Sequence, residues 1–480
     1  MPSGPTSRGC NACRAQKKGC DRQKPVCSRC KRLNLVCVGA GEQRFKFVGT
    51  DSKPSNSTKL VPVARTSISP GLDSETTSIS SAFIRTLGIG DPSSQLDTIT
   101  MVNGLFAQIP RRLGSNKALD TASEALMSSY KFVYDRGQIR KARMHYGRAL
   151  KELSITLQDP AATRSSNTLC AIYLLLICQN WISKGEMQYG NHMEGVCYVL
   201  NAFAETFDWT RPRHTYDNSN NLELVLISIL TFPLMVEKIY NPRLNFGPWL
   251  QKALAWQGPR GKDIKYPYSL GMRNVYQITE LVQDPAPHQT AFEIAYDILC
   301  EDISIMGQRL ADLSISSDGK SGNEVPQQIR ALQFVYGMHY GMMLPFACIL
   351  NSLLRAFPSN QFQPKALEED AERFVKASIK LARESNPLRP LGTEGIPWVL
   401  CFTWALSSDA ATQTEIEDLI RMYDSDFMGA NNFPVAIWTR RWLEKQTNKI
   451  RGIEEELHGI GESDADLEAV IGPGRSCCVM

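Results

Sequence analysis

Apolar residues recur at helical spacing along most of this 480-residue chain, from about residue 95 to about residue 456. Tyr146, Leu150, Leu153 and Leu157 fall at i, i+4, i+7 and i+11, one face of a helix, and Asp159-Pro160 ends the run. A second helix is better marked. Pro364 opens it, Glu368, Glu369 and Asp370 are expected in its first turn, and Leu367, Ala371, Phe374, Ser378 and Leu381 line one face. Lys380 and Arg383 stand near its C-terminal end before Pro387, the charge order that the helix dipole favours. Glu369 with Arg373 and Glu372 with Lys376 are expected i,i+4 pairs on the wet face. Residues 169–178 and 222–236 are apolar nearly all round and are predicted to be central helices buried on every side. Residues 325–357 continue the pattern with an interruption near Pro345. No segment sustains alternation of period two, so residues 95–456 are predicted to form a large all-α body.

The pattern breaks at both ends. Of the 32 residues 50–81, 14 are Ser or Thr, interspersed with Pro54, Pro62 and Pro70, and residues 48–94 are read as a flexible linker. Residues 457–480 read as an acidic, glycine-rich tail. Charge divides the chain further. Residues 1–46 hold eleven Lys and Arg against Asp21 and Glu42, whereas the remainder holds 42 basic and 47 acidic residues. The overall charge of +4 therefore conceals a strongly basic head on a mildly acidic body, which points to a polyanionic partner for the head alone. The longest apolar run, residues 224–236, is broken by Ser228, Thr231 and Pro233 and is too short to span a bilayer.

Within the head, Cys10, Cys13, Cys20, Cys27, Cys30 and Cys37 form the pattern C-x2-C-x6-C twice, the second copy displaced by 17 residues. A C-x2-C pair places two thiolates on one metal and the remote cysteine supplies a third, so each half lacks one ligand for tetrahedral zinc. Two Zn2+ ions need eight ligand positions, and six thiols fill them only if two bridge both metals. Six thiolates and two divalent ions sum to −2, which Arg14, Lys17, Lys18, Arg29, Lys31 and Arg32, set between and beside the ligands, offset. A disulfide framework is disfavoured because residues 1–8 are short and polar, with no signal peptide. Copper-thiolate proteins seldom separate their pairs by such regular, basic, helix-compatible segments.

The stretch CNACRAQKKGCDRQKPVCSRCKRLNLVC resembles the fungal zinc binuclear cluster family of transcription factors. The likeness lies in the cysteine spacing, Arg14 after the second cysteine, Lys17, Asp21 after the third, and Pro25 in the connecting loop. The resemblance implies that each half is a short helix followed by an extended strand, that Cys10 and Cys27 are the bridging thiolates, and that the first half enters the major groove of double-stranded DNA. Its helix would span residues 11–18 and present Lys17 and Lys18 to guanine O6 and N7, so CGG-like half-sites are expected. Arg14, Arg22, Lys24 and Arg29 are assigned to phosphates. Gln16 departs from the family, which usually has a basic residue there, and Gly19 stands where a lysine is frequent. The short segment Arg44-Phe45-Lys46-Phe47 is read as a strand pinning the linker to the cluster. The body looks like the regulatory domain that accompanies such clusters, with Trp181 and Gly195 in a stretch of similar texture, residues 179–200. Residues 48–94 hold no heptad run, so any homodimer is expected to form through the helical body.

Catalysis finds no support: no H-E-x-x-H, G-x-S-x-G, P-loop or dinucleotide fingerprint occurs, and the six histidines are scattered singly. Cys170, Cys178, Cys197, Cys300, Cys348 and Cys401 sit in apolar stretches and read as reduced core thiols. The terminal Cys477-Cys478-Val479-Met480 fits a C-a-a-X prenylation signal at Cys477, but its acidic flank lacks a second membrane signal, so no stable membrane association is expected. The acidic residues 454–468, with Leu457, Ile460 and Leu467, suit either an activation surface or a solvated tail. The expected protein is a nuclear, sequence-specific transcription regulator, more plausibly an activator of RNA polymerase II genes, that contacts the transcription machinery. Control of a metabolic or secondary-metabolite gene cluster would suit it. The alternative is a prenylated or cytoplasmic interaction protein whose zinc cluster is purely structural.

Overall fold

The computed structural model describes residues 9–38, 75–89, 105–182, 190–210, 222–256, 267–317, 327–428 and 430–453. The chain divides into two units, Met1–Gly71 and Leu72–Met480. In the first, two five-residue helices, α1 (Asn11–Ala15) and α2 (Ser28–Arg32), are each followed by a turn and irregular chain, and the strand expected after each is not assigned among the described residues.

All regular structure described in the second unit is helical. Its first layer contains α3 (Glu75–Leu87), α4 (Leu105–Gln108), α5 (Lys117–Tyr134), α6 (Ile139–Thr156), α7 (Pro160–Thr163), α8 (Ser166–Ile182) and α9 (Gly190–Ala204). α5 packs against α3, α6 and α8. Asn116 caps α5 by accepting the Leu119 N–H at 3.0 Å, one of the amides a helix start leaves unbonded. On α6, Ala142, Tyr146 and Ala149 are buried and Leu150 and Leu153 half-buried, as is Leu157 at its C-cap. α8 carries the apolar run of residues 169–178, and almost every side chain on it is buried, as an all-round apolar helix requires.

α10 (Leu222–Lys238), α11 (Trp249–Trp256) and α12 (Met272–Gln283) lead to a second group. This comprises α13 (Gln289–Ser317), α14 (Gln327–Leu354), α15 (Pro364–Glu384), α16 (Ile396–Leu406), α17 (Ala410–Asp424) and α18 (Phe433–Arg451). α16 is its hub. Residues 396–404 are all buried, and it packs against α14, α15, α17 and α18. On α15 the expected face is the buried one: Leu367, Ala371, Phe374, Ser378 and Leu381 all lie inside. Tyr296 of α13 is tied to it through Asp370 at 2.8 Å, and Asn351 of α14 donates to that Tyr296 hydroxyl at 3.0 Å.

Several expectations are corrected. The helical body does not begin near residue 95: α3 falls inside the stretch read as linker, with Phe83 and Leu87 wholly buried and Ile79 packed beside them. Its Ser-rich composition hides an i, i+4, i+8 apolar stripe that gains its worth only once α5 is there to cover it. Residues 48–74 lie outside the described residues. α14 runs through Pro345 without interruption, and α10 through Pro233. A proline inside a helix forfeits one hydrogen bond and costs ~3 kcal/mol, which burial on all sides, as at Phe346 to Leu350, offsets. The acids of α15 lie beyond its first turn, and Arg373 pairs with Asp370 at 2.7 Å instead of Glu369, which meets Lys365 at 3.8 Å. The Glu372–Lys376 pair forms as expected, at 3.2 Å. Cys170, Cys178, Cys197, Cys348 and Cys401 are buried, Cys300 is half-buried, and none of them forms a disulfide. Burial pushes the thiols of Cys170, Cys178 and Cys348 up to about 12, which keeps them protonated and inert.

Candidate metal centre and nucleic-acid interface

The C-x2-C spacing acquires a structural meaning at the start of each short helix. Cys27 is the N-cap of α2, its sulfur accepting the Cys30 N–H at 3.4 Å. Cys10 does the same at α1, accepting the Cys13 N–H at 3.5 Å. A residue at the N-cap and another three positions on share a face, so the helix start itself brings two sulfurs together. Each helix then ends in a left-handed residue, Lys17 at φ 52° and Asn34 at φ 51°. Lys18 N–H closes on the Cys13 carbonyl at 2.9 Å and Leu35 N–H on the Cys30 carbonyl at 2.9 Å. The chain thereby doubles back, so that Cys20 accepts from the Cys10 N–H at 3.5 Å and Cys37 from the Cys27 N–H at 3.4 Å. Every one of these contacts recurs after 17 residues. The two halves are related by a pseudo-two-fold.

Two sets of four sulfurs result: Cys10, Cys13, Cys20 and Cys27, and Cys10, Cys27, Cys30 and Cys37, each set lying within 4.8 Å. Cys10 and Cys27 belong to both. The sulfurs of Cys10 and Cys27 are 3.8 Å apart, Cys10 and Cys30 3.5 Å, and Cys13 and Cys27 3.8 Å. A tetrahedron with Zn–S bonds of about 2.3 Å has edges of about 3.8 Å, whereas a disulfide would need about 2.05 Å. The donor set therefore fits zinc. Cys10, Cys13, Cys27 and Cys30 are fully buried, Cys20 and Cys37 partly. The N–H groups of Cys13 and Cys30 draw the Cys10 and Cys27 thiols below their ordinary range, while burial pushes Cys13 up to about 11 and Cys30 up as well. The pair common to both sets is thus the pair whose thiols are drawn toward the thiolate form, the chemistry a bridging position needs.

The pseudo-two-fold also exposes where the halves differ. Gln16, Lys17 and Lys18 are exposed at the end of α1, and the equivalent positions at the end of α2 hold Leu33, Asn34 and Leu35. The second half goes on to present Val36, 81% exposed, and Val38, where the first has Gly19 and Asp21, while on the helices themselves the exposed Arg32 stands where the first half has Ala15. α1 ends at Ala15 instead of Lys18, because the αL residue Lys17 stops it. Arg22 and Lys24 are exposed on the loop, the Arg14 side chain lies outside the described residues, and so do residues 39–50 and Cys477.

Two pairings, Arg29 with Gln16 and Asp21 with Ser28, escaped the sequence. The half-buried Arg29 lies 3.9 Å from the Cys13 sulfur through Nη1 and donates to Gln16 Oε1 at 2.6 Å through Nη2, so its guanidinium is turned toward the cluster. Gln16, the departure from the family pattern, is thereby the partner of Arg29. Asp21 accepts the Ser28 N–H at 3.1 and 3.2 Å, where the pseudo-symmetric Asn11 N–H uses the Val38 carbonyl at 3.0 Å. Hydrogen bonds from Ser28 hold the Asp21 carboxyl below the usual range. A carboxylate following the third cysteine is the signal that could have located this bond.

Residues 8–46 match the family model of the fungal Zn(2)-Cys(6) binuclear cluster domain. That domain belongs to a family of fungal, zinc-binding, DNA-binding transcription regulators, which are not enzymes. No curated protein and no solved structure matches the chain.

Proposed function

We propose that this chain is a sequence-specific transcription regulator that reads CGG-like triplets in double-stranded DNA with the first half of a two-zinc cluster. One observation carries the reading: just beyond the two helices, at positions related by the pseudo-two-fold, the first half presents the exposed cations Lys17 and Lys18 and the second the uncharged Asn34 and Leu35. A purely structural cluster has no use for that asymmetry. Lys17 and Lys18 donate to guanine O6 and N7, and Arg14, Arg22 and Lys24 neutralise phosphates and set the register. Arg29, engaged by Cys13 and Gln16, keeps the charge-compensating role also expected of it and is dropped from the phosphate contacts.

Zinc supplies the folding constraint that lets a unit with so small a core present these side chains rigidly. The helical body serves as the regulatory part, contacting the transcription machinery and any second copy of the chain, in the nucleus. No described helix is long and apolar enough to cross a membrane. Activation is the favoured sign, and a metabolic or secondary-metabolite gene cluster the favoured target.

The test is selection of bound sequences from random duplex DNA by the zinc-loaded full chain, repeated with Lys17→Ala and Lys18→Ala. CGG-type enrichment that disappears in either variant is the expected result. No enrichment from protein with zinc demonstrably bound would overturn the reading.

A further inference from the structure

α6 presents a basic face with two apolar side chains on a body that is acidic overall. On a helical wheel Arg140, Lys151, Met144, Ile155, Arg148 and Lys141 follow one another round an arc of about 100°, and Arg143 lies about 60° further on, beyond Gly147 and Ser154. All seven are exposed, Met144 by 63% and Ile155 by 51%, while Ala142, Tyr146 and Ala149 face inward. Arg148 shares Glu124 at 3.2 Å with His145, and Glu152 meets Lys117 at 3.5 Å. Among the described residues Arg140, Lys141 and Lys151 have no acidic partner. The flank between Arg140 and Arg143 is open, since at Gly147 a Cβ would meet nothing within 4 Å.

We propose that the chain's own acidic segment, residues 454–468, docks on this face of α6. The segment holds seven carboxylates (Glu454, Glu455, Glu456, Glu462, Asp464, Asp466, Glu468), no Lys or Arg, and the apolar Leu457, Ile460 and Leu467. Its composition is the complement of α6: carboxylates for the flanking cations, branched side chains for Met144 and Ile155. Reach is sufficient. Arg136, just before α6, donates to the Asp426 carbonyl between α17 and α18, so the N-terminal end of α6 stands near the approach to α18. The 19 residues of α18 rise about 28 Å, and twenty residues of extended chain after it span up to ~65 Å. Duplex DNA would gain nothing from the two apolar side chains at the centre, and those two bury too little to hold a bilayer surface. Docking keeps the acidic segment occupied on the body until a competing acidic partner or a modification releases it.

Zero-length carbodiimide cross-linking of the full-length, zinc-loaded chain, mapped by mass spectrometry, tests this. Links within one molecule from Lys141 and Lys151 to the carboxylates of residues 454–468 are expected, and should fade near 0.5 M salt, where the Debye length is only a few ångströms. Reversing Arg140→Glu and Arg148→Glu leaves both lysines in place and should cut the yield roughly tenfold. Replacing Glu454, Glu455 and Glu456 by Lys in that background should restore coupling, while an unchanged helical circular-dichroism signal shows the fold intact. Absence of such links overturns the proposal. So does a yield that rises with protein concentration, which would assign the face to a second copy, or protection of Lys141 and Lys151 from acetylation only when duplex DNA or anionic vesicles are added.

Discussion

Lys17 and Asn34, seventeen residues apart in sequence, occupy the same place in the two halves of the cluster and share a left-handed backbone, φ 52° and 51°. Asparagine enters that region readily, whereas lysine adopts it at a cost of roughly 1–2 kcal/mol. A strained residue kept at one of two equivalent positions suggests that its side chain is required. Lys17→Asn should therefore leave zinc content intact and raise thermal stability slightly, while lowering discrimination for a CGG-type site by ~1–3 kcal/mol in competition binding. The reverse change, Asn34→Lys, should leave site selection as it was.

Arg29 and Lys24 carry the same charge and should behave differently. Lys24→Ala is expected to reduce the slope of log affinity against log salt by roughly 0.9, the signature of one lost phosphate contact. Arg29→Ala should leave that slope unchanged and speed zinc loss to a chelator, because its guanidinium is turned to the Cys13 sulfur. Equal slopes for both variants and wild type would remove Lys24 from the interface.

Zinc removal should act on one unit alone. The core of the helical body contains none of the six clustered cysteines, so chelation is expected to abolish DNA binding with little loss of helical circular dichroism. Because Cys10 serves both four-sulfur sets, Cys10→Ala should empty both sites, whereas Cys20→Ala touches only one set. Native mass spectrometry distinguishes the stoichiometries.

His339 is buried at 3% exposure in α14, and burial depresses its pKa to about 4 from an ordinary 6.5. The unfolded chain takes up this proton below pH 6.5 and the folded chain only near pH 4. The stability contributed by neutral His339 is thus complete above pH 6.5 and lost as pH falls from 6.5 to 4, by about 3 kcal/mol at most. Denaturation across that interval should show a weaker pH dependence in His339→Met than in wild type.

Arg389 grips Asp426 with two bonds of 2.7 Å and also donates to the Met422 carbonyl at 2.8 Å, with its guanidinium 5.3 Å from the Tyr423 ring centre. Both partners are mostly buried, so Arg389→Ala strands a carboxylate and should cost about 3 kcal/mol in urea denaturation. Arg389→Lys should recover less than half of this, because an ammonium cannot make the two-pronged contact. By comparison, losing the exposed Lys376–Glu372 pair should cost under ~0.5 kcal/mol.

Much of the cluster was legible beforehand because its geometry is local. A cysteine at a helix N-cap and another three residues on must share a face, and a repeat of 17 residues doubles whatever one copy builds. The buried stripe of α15 was legible for the same reason: Leu367, Ala371, Phe374, Ser378 and Leu381 are fixed to one side by the helical period. Less legible was α3, whose serines match a linker in composition, although Ile79, Phe83 and Leu87 lie at helical spacing.

What the sequence by itself determined is therefore everything governed by backbone period and short spacing: the helical class of the body, the sulfur ligands, and the basic character of the head. Only tertiary structure decided that Arg29 turns to Cys13 and Gln16, that Asp21 replaces a carbonyl for Ser28, that Asp370 takes both Arg373 and Tyr296, and that prolines 233 and 345 sit inside unbroken helices. Such pairings join groups whose separation in space is set by the packing of distant elements. Several side chains of suitable chemistry compete for each partner, and burial selects among them.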